Sequence, residues 1–444
     1  MTTGPSQEQP ARVAARPMQA GDIRDRWSWV EASVWTDRML AALEKGVKGG
    51  VWFSLIDKVY APANLRAAFE RVARNKGAAG VDHVTVVDFR RRLDEHVEEL
   101  HGQLSRDTFR PQMIRRKFID KPGTNEKRPL GIPTVRDRVV QGALRQVLEP
   151  IFEMAYAEHS YGFRPGRGCK DALRRVDGLI GEGYRYTVDV DLKAYFDTIP
   201  HEQLMGEVRR YIADSRVLGL IEAFLKASIL DGMESWEPTK GAPQGAVLSP
   251  LLSNLYLNDL DHLMASRGYE MTRYADDLVI QCRTREEAET ALGLVRNWVG
   301  PRGLTLHPTK TKVVDVETEG FDFLGYHFVK HHRWPRKKSL ERFRATIRDK
   351  TGRNDGKSLE AIIADVGKTS RGWFEYFKHS CQWVFRALDA WTRMRLRSIL
   401  RRRLGKKGRG KGGDHQHWPN DFFTARGFFS MRDAHAALRQ SPPG

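Results

Sequence analysis

The chain has 444 residues, 40% of them hydrophobic, enough for about two to four packed domains and not the composition of a disordered chain. Of the net charge of +18, residues 331–411 supply +17, with 24 Lys and Arg against 7 Asp and Glu; a groove for a polyanion calls for such concentration and a solvated face does not. Cys169, Cys282 and Cys381 form no CxxC pair, which argues against a zinc ribbon, while the absence of a run of ~20 apolar residues or of a leader h-region points to a soluble, cytoplasmic protein with no membrane partner.

In chain order, residues 1–25 read as a loose polar tail. Apolar residues then recur at helical spacing from Trp27 to about Leu104, with Gly77 to Asp82 as a loop. Phe118-Ile119 and Pro129-Leu130-Gly131-Ile132 flank a Pro/Gly/Asn turn at Pro122 to Asn125 and predict a hairpin. Val135 to Tyr156 reads as an amphipathic helix. Tyr186 to Leu192 alternates apolar and polar residues, the period of a strand. Met271 to Tyr274 and Leu278 to Ile280 read as two strands around a tight turn, Glu286 to Val299 as a helix, and Phe321 to Phe328 as one more strand. From Ser339 to Leu404 the pattern is helical and rich in Arg. Gly405 to Gly413 reads as a Gly/Lys linker.

Asp276 and Asp277 are adjacent between two apolar strand sequences. Two neighbouring carboxylates repel each other, and a divalent metal removes that penalty. Alone, such a pair is as readily a solvent-facing hairpin tip. Asp191, at the end of the alternating strand, offers a third carboxylate, and Asp189 on the same strand face is an alternative to it. Three carboxylates suffice for two Mg²⁺ ions ~3.5–4 Å apart, one serving the attacking and one the leaving oxygen of a phosphoryl transfer.

Tyr274-Ala275-Asp276-Asp277 resembles the signature box of reverse transcriptases, in the form carried by group II intron-encoded proteins. Other segments resemble family motifs in family order: Lys127 to Pro133, Ser160 to Arg167, Asp191 to Ile199, Gly241 to Asn254, Leu304 to Thr311 and Phe323 to Tyr326. Arg371 to Phe377 and Leu388 to Arg393 resemble the thumb, or maturase, region. The resemblance implies an α+β right-hand polymerase: a tail and helical extension over 1–55, fingers and an antiparallel-sheet palm over 56–330, a helical thumb/maturase domain over 331–404, and a linker and C-terminal tail over 405–444. It implies an RNA-directed DNA polymerase that adds dNTPs to a DNA primer on an RNA template, and that binds its group II intron RNA to assist splicing and mobility. A non-catalytic splicing factor on an inherited fold, and a domesticated enzyme of defence or repair, are the competing expectations.

The same resemblance assigns roles. Asp191, Asp276 and Asp277 match the ligands of two Mg²⁺ ions, with Mn²⁺ as a substitute. Lys121 and Arg128 match cations on the triphosphate, and Gln244 matches a nucleotide contact. Tyr195 matches the ring under the incoming sugar, with Phe196 as the core aromatic and Asp197 as structural. Lys310 matches a basic residue beside the palm. Arg371, Arg393, Arg397, Arg401, Arg402, Arg403, Lys406 and Lys407 are expected contacts to nucleic acid.

Overall fold

The computed structural model describes residues 21–47, 50–120, 127–353, 356–410 and 412–440. They form two compact units. Residues 21–120, 127–179 and 186–313 build the first, and residues 180–185 with 314–440 build the second. No helix among the described residues is long and apolar enough to cross a membrane.

The first unit is organised around the helix Val135–Ala155. Thr134 caps it, its hydroxyl accepting the Asp137 amide at 3.2 Å. The expected amphipathic character does not hold: 18 of the 21 residues are buried, because helices Asp37–Lys45, Ile56–Tyr60, Pro62–Arg74, Leu93–Ser105 and Ser249–Ser266 pack around it. A helix covered on all sides has no polar face to lose.

The predicted hairpin is present. β1 (Ile114–Asp120) and β2 (Lys127–Ile132) pair antiparallel from Arg115↔Ile132 to Asp120↔Lys127; the expected turn at Pro122 to Asn125 lies outside the described residues. After β3 (Tyr186–Asp191), β4 (Ile229–Asp231) runs parallel to β1 and pairs antiparallel with β5 (Glu234–Trp236). This gives a sheet of order β2-β1-β4-β5.

A second sheet carries the acidic residues. β6 (Glu270–Tyr274) and β7 (Asp277–Cys282) form the expected tight hairpin, and β7 pairs antiparallel with β3. β8 (Lys312–Asp315) completes the order β6-β7-β3-β8 and carries the chain out of this unit after Val313. The alternation read from the sequence is observed: Val188 and Val190 are buried, while Asp189 and Asp191 are half-buried. Helix Arg285–Val299 begins at a Thr284/Glu287 capping box.

The second unit starts earlier than the boundary expected at residue 330. The single strand expected over Phe321 to Phe328 is two, β9 (Phe321–Phe323) and β10 (Tyr326–Val329), followed by β11 (His332–Pro335). Leu324 and Gly325 turn the chain with φ of 46° and 85°, values that glycine adopts freely. Tyr326 then donates its hydroxyl to the Tyr376 carbonyl at 2.7 Å and packs on Phe377, which ties this hairpin to the helices that follow. The helical stretch from Ser339 resolves into Lys337–Lys350, Leu359–Phe377 and Gln382–Arg403.

The C-terminal segment is not a tail. Helices Gly413–His417, Asn420–Thr424 and Met431–Gln440 bring Trp418, Phe423, Phe428 and Met431 into the core formed by Phe343, Ile363, Phe385 and Leu396. Apolar residues spaced between Gly-rich turns drive this closure, since leaving four large side chains in water would cost several kcal/mol.

Candidate active site

The hairpin register sets the acidic residues. Asp191 on β3 pairs with Asp277 on β7, and Tyr274 pairs with Asp277 across the β6–β7 turn. Cross-strand partners share a sheet face with Cα atoms about 4.5–5.5 Å apart. Ala275 and Asp276 form the two-residue turn, so Asp276 projects from the same end. Asp189 pairs with Val279 instead, two residues back along the strand.

The turn is over-determined by groups that the sequence reading placed in motifs or strands without assigning them this part. Ala275 has a left-handed φ of 60°, unfavourable for a residue with a side chain. Its carbonyl accepts from the Arg273 guanidinium at 2.9 Å. Arg273 is fully buried, pairs with Asp261 and bonds the Asn254 side-chain oxygen at 2.9 Å. Asn254 in turn donates to the Gly162 carbonyl at 2.6 Å. Gly162 packs so closely on the turn that a Cβ there would lie 2.3 Å from the Ala275 amide nitrogen. Residues 160–164 are anchored from behind by the buried Arg164–Glu153 pair at 2.6 Å. Phe163, 45% exposed with a φ of 58°, sets its ring beside Tyr274.

Burial pushes the Asp276 carboxyl above its usual range; Arg128 and Arg273 oppose the shift, and the Asp191 charge adds to it. Asp191 is held by its backbone and by a cation: its carbonyl accepts the His307 amide at 2.8 Å, and its carboxylate accepts the Lys310 ammonium at 3.2 Å. Among the described residues no three acidic, His or Cys side chains stand close enough to hold one ion. Thus the carboxylates meet at one sheet end without forming a closed cage. An all-oxygen donor set suits a hard divalent cation, and a cation beside Asp276 would reverse the desolvation and like-charge penalties that raise its pKa.

Around the carboxylates, Arg128 is exposed on β2 and lies within electrostatic reach of Asp276. Gln244 is half-buried; its carbonyl accepts the Gly131 amide at 2.7 Å. Gly245, with φ of 106°, allows this approach, as a Cβ there would lie 2.4 Å from the Gly131 oxygen. The expected environments of the aromatic pair are exchanged. Tyr195 is 2% exposed and donates its hydroxyl to the Ser253 carbonyl at 2.6 Å, so it is the core aromatic. Phe196 is half-buried and, with Gln244, lines a cavity of about 380 Å³. Asp197, expected to be structural, is exposed at that cavity. Lys121 lies outside the described residues.

The cations of the second unit divide. Arg402, Arg403, Lys406 and Lys407 are exposed, as is Arg371, whose guanidinium stacks over Phe429. Arg397 is not a surface contact: it is 2% exposed, donates to the Trp418 carbonyl and the Asn420 side chain at 2.9 Å each, and lies over Phe423. Its guanidinium satisfies the buried Trp418 carbonyl and the part-buried Asn420 side-chain oxygen of the C-terminal segment. Arg393 is half-buried over Phe428, and Arg401 is committed to Asp414 at 2.9 Å.

The register Asp191↔Asp277, with Asp276 at the adjoining turn, brings three carboxylates to one end of an antiparallel sheet, the architecture of a polymerase palm. The family described as "Reverse transcriptase (RNA-dependent DNA polymerase)" matches residues 119–328, and the "Group II intron, maturase-specific domain" matches residues 340–418. The chain is 33% identical over 356 residues to protein YkfC of Escherichia coli K12, covering 70% of this chain and 91% of that one. It is 39% identical over 214 residues to the group II intron-encoded protein LtrA of Lactococcus lactis subsp. cremoris, covering 48% of this chain. It spans only 35% of LtrA. Among solved structures it is similar to a telomerase from Candida albicans, at 11% identity and a TM-score of 0.42 over 75% of this chain and 65% of that one. The chain belongs to the reverse transcriptase family, whose members use divalent metal ions. Within it, the chain is one of the group II intron reverse transcriptase/maturase proteins.

Proposed function

We propose that the chain is a cytoplasmic RNA-directed DNA polymerase that adds dNTPs to a DNA primer on an RNA template, and that it binds group II intron RNA to assist splicing and mobility. The observation that carries this reading is the register Asp191↔Asp277 with Asp276 at the adjoining turn. Asp191, Asp276 and Asp277 would hold two Mg²⁺ ions, or Mn²⁺ in their place. Bound there, the ions supply charge neutralisation at the reacting phosphate and lower the cost of forming the attacking oxyanion.

The chain's own groups position the reactants. Arg128, with Lys121 as its expected companion, binds the triphosphate through a guanidinium suited to two phosphate oxygens. Gln244 and Phe196 border the sugar and base, and Tyr195 supports Phe196 from beneath, their rings 5.5 Å apart. A ring at the sugar rejects a ribose 2′-OH by contact. Lys310 orients the Asp191 carboxylate. Asp191 is the third carboxylate in preference to Asp189, because only Asp191 lies opposite Asp277. Arg371, Arg402, Arg403, Lys406 and Lys407 contact phosphates.

Two assays on the purified chain test this. Radiolabelled dNTP should be incorporated on an RNA template with Mg²⁺ and not after chelation. Intron splicing should persist in Asp276→Ala while incorporation is lost. No incorporation by the wild-type chain would refute the polymerase reading, and loss of both activities in a folded Asp276→Ala would refute the division between them.

A further inference from the structure

The Lys310–Asp191 pair joins an ammonium to a carboxylate that the polymerase reading gives to a metal. The loop bearing Lys310 is fixed to β3 by bonds that involve neither charge. The Asp191 carbonyl accepts the His307 amide at 2.8 Å. The Asp191 amide donates to the Thr311 hydroxyl at 3.2 Å, and that hydroxyl donates back to the Asp191 carbonyl at 3.3 Å. These contacts to the backbone of Asp191 hold position 310 beside it whether or not the ion pair forms. The Lys310 ammonium then reaches Oδ2 of Asp191 at 3.2 Å, with its side chain 60% exposed and that of Asp191 37%.

An ammonium and a divalent ion compete for the same lone pairs of a carboxylate oxygen, and two cations on one oxygen repel each other. An ion pair this exposed is weak and gives way to a better-bound competitor. Lysine's flexible stem lets the ammonium leave without moving the backbone. Arg273 differs on both counts: it is fully buried and committed to Asp261 and the Ala275 carbonyl, so it holds the turn and cannot be exchanged. The Asp191 charge also acts on Asp276, so a cation resident on Asp191 relieves the like-charge repulsion that an arriving metal would otherwise be the first to relieve.

We propose that Lys310 is a built-in competitor for the metal at Asp191: its ammonium neutralises that carboxylate before an ion binds, is displaced when one does, and so raises the metal concentration that the centre requires. The inference rests on the polymerase reading above, in which Asp191 is a metal ligand. A lysine that only orients Asp191 makes the opposite prediction, because its removal would loosen the carboxylate and weaken the ion.

Mn²⁺ is titrated into the full chain without nucleic acid or dNTP, and the free ion is read by electron paramagnetic resonance. Lys310→Met should bind Mn²⁺ roughly two- to fivefold more tightly than wild type, the range an exposed ion pair is worth. The ratio should approach one at ~1 M salt, where the pair is screened. Lys310→Arg keeps the charge and should bind no more tightly than wild type. Lys312→Met removes an equal charge from the exposed first residue of β8 and should leave the affinity unchanged, which separates competition at Asp191 from a general gain in negative charge. Equal or weaker binding by Lys310→Met overturns the proposal, as does an equal gain in Lys312→Met. Asp191→Asn tells this failure from failure of the polymerase reading. If Mn²⁺ binding survives it undiminished, Asp191 is no ligand and both fall; if binding is lost there while Lys310→Met behaves as wild type, the competitor role alone falls.

Discussion

Gly162 and Arg273 hold the turn of the candidate site in place, though neither bears a reacting group. Gly162 leaves no room for a Cβ beside the Ala275 amide, so Gly162→Ala must push the turn or itself aside. We expect incorporation to fall by at least tenfold with duplex affinity unchanged, measured by single-turnover extension and filter binding. The sequence displays the three carboxylates because strand alternation and an Asp-Asp pair are visible in one dimension. It does not display Arg273 as a support, since a residue flanking a motif looks the same whether its side chain meets solvent or Asp261. The same blindness exchanges Tyr195 and Phe196: adjacent aromatics give no sign of which one is enclosed, and the hydroxyl that finds the Ser253 carbonyl does so only in the fold. Arg397 departs from expectation for the opposite reason: its charge reads as solvent-facing, whereas the Trp418 carbonyl and the Asn420 side chain solvate it inside the fold.

At the scale of elements, the helix Val135–Ala155 carries a pH signature at its first turn. Burial pushes the Asp137 carboxyl up to about 6, against the opposing Gln112 amide and Arg136. The folded chain then holds a proton that the unfolded chain, near pKa ~4, has already lost. Stability therefore rises as pH falls from about 6 towards about 4 and is diminished above that window, by roughly 1–3 kcal/mol. Asp137→Asn should flatten this part of a urea-denaturation profile measured across pH. The C-terminal segment supplies a second prediction. Phe423 is fully buried in the second unit's core, so Phe423→Ala should destabilise that unit by about 3–5 kcal/mol, read as an earlier denaturation midpoint. Strands and helices with one dominant period are legible in the sequence. The C-terminal helices are not, because the Gly/Lys stretch before them looks like a linker and the first two, Gly413–His417 and Asn420–Thr424, are too short to show a period; Met431–Gln440 has a helical period that the linker reading passed over.

For the whole molecule, the division of charge has a measurable consequence. The basic block and the exposed cations Arg402, Arg403, Lys406 and Lys407 belong to the second unit. Replacing these four with Gln should weaken RNA binding and reduce the slope of log K against log salt by roughly one for each phosphate no longer neutralised. Stability should be little changed, because these side chains are exposed. Fold class and the order of motifs are legible from the sequence over both matched regions. The boundary between units is not, since Phe321 to Phe328 reads equally as a palm strand or as the hairpin that Tyr326 ties to Tyr376 and Phe377.

The central claim is that Asp191, Asp276 and Asp277 together form the polymerising centre. Primer extension on an RNA template, with duplex saturating and Mg²⁺ present, tests it in one experiment on four proteins. Wild type and Asp189→Asn should extend within a few-fold of each other, while Asp191→Asn and Asp276→Asn should fall by at least ~10³-fold, the loss of several kcal/mol of charge stabilisation. Extension by Asp276→Asn at the wild-type rate, or a collapse in Asp189→Asn with Asp191→Asn intact, would contradict the account.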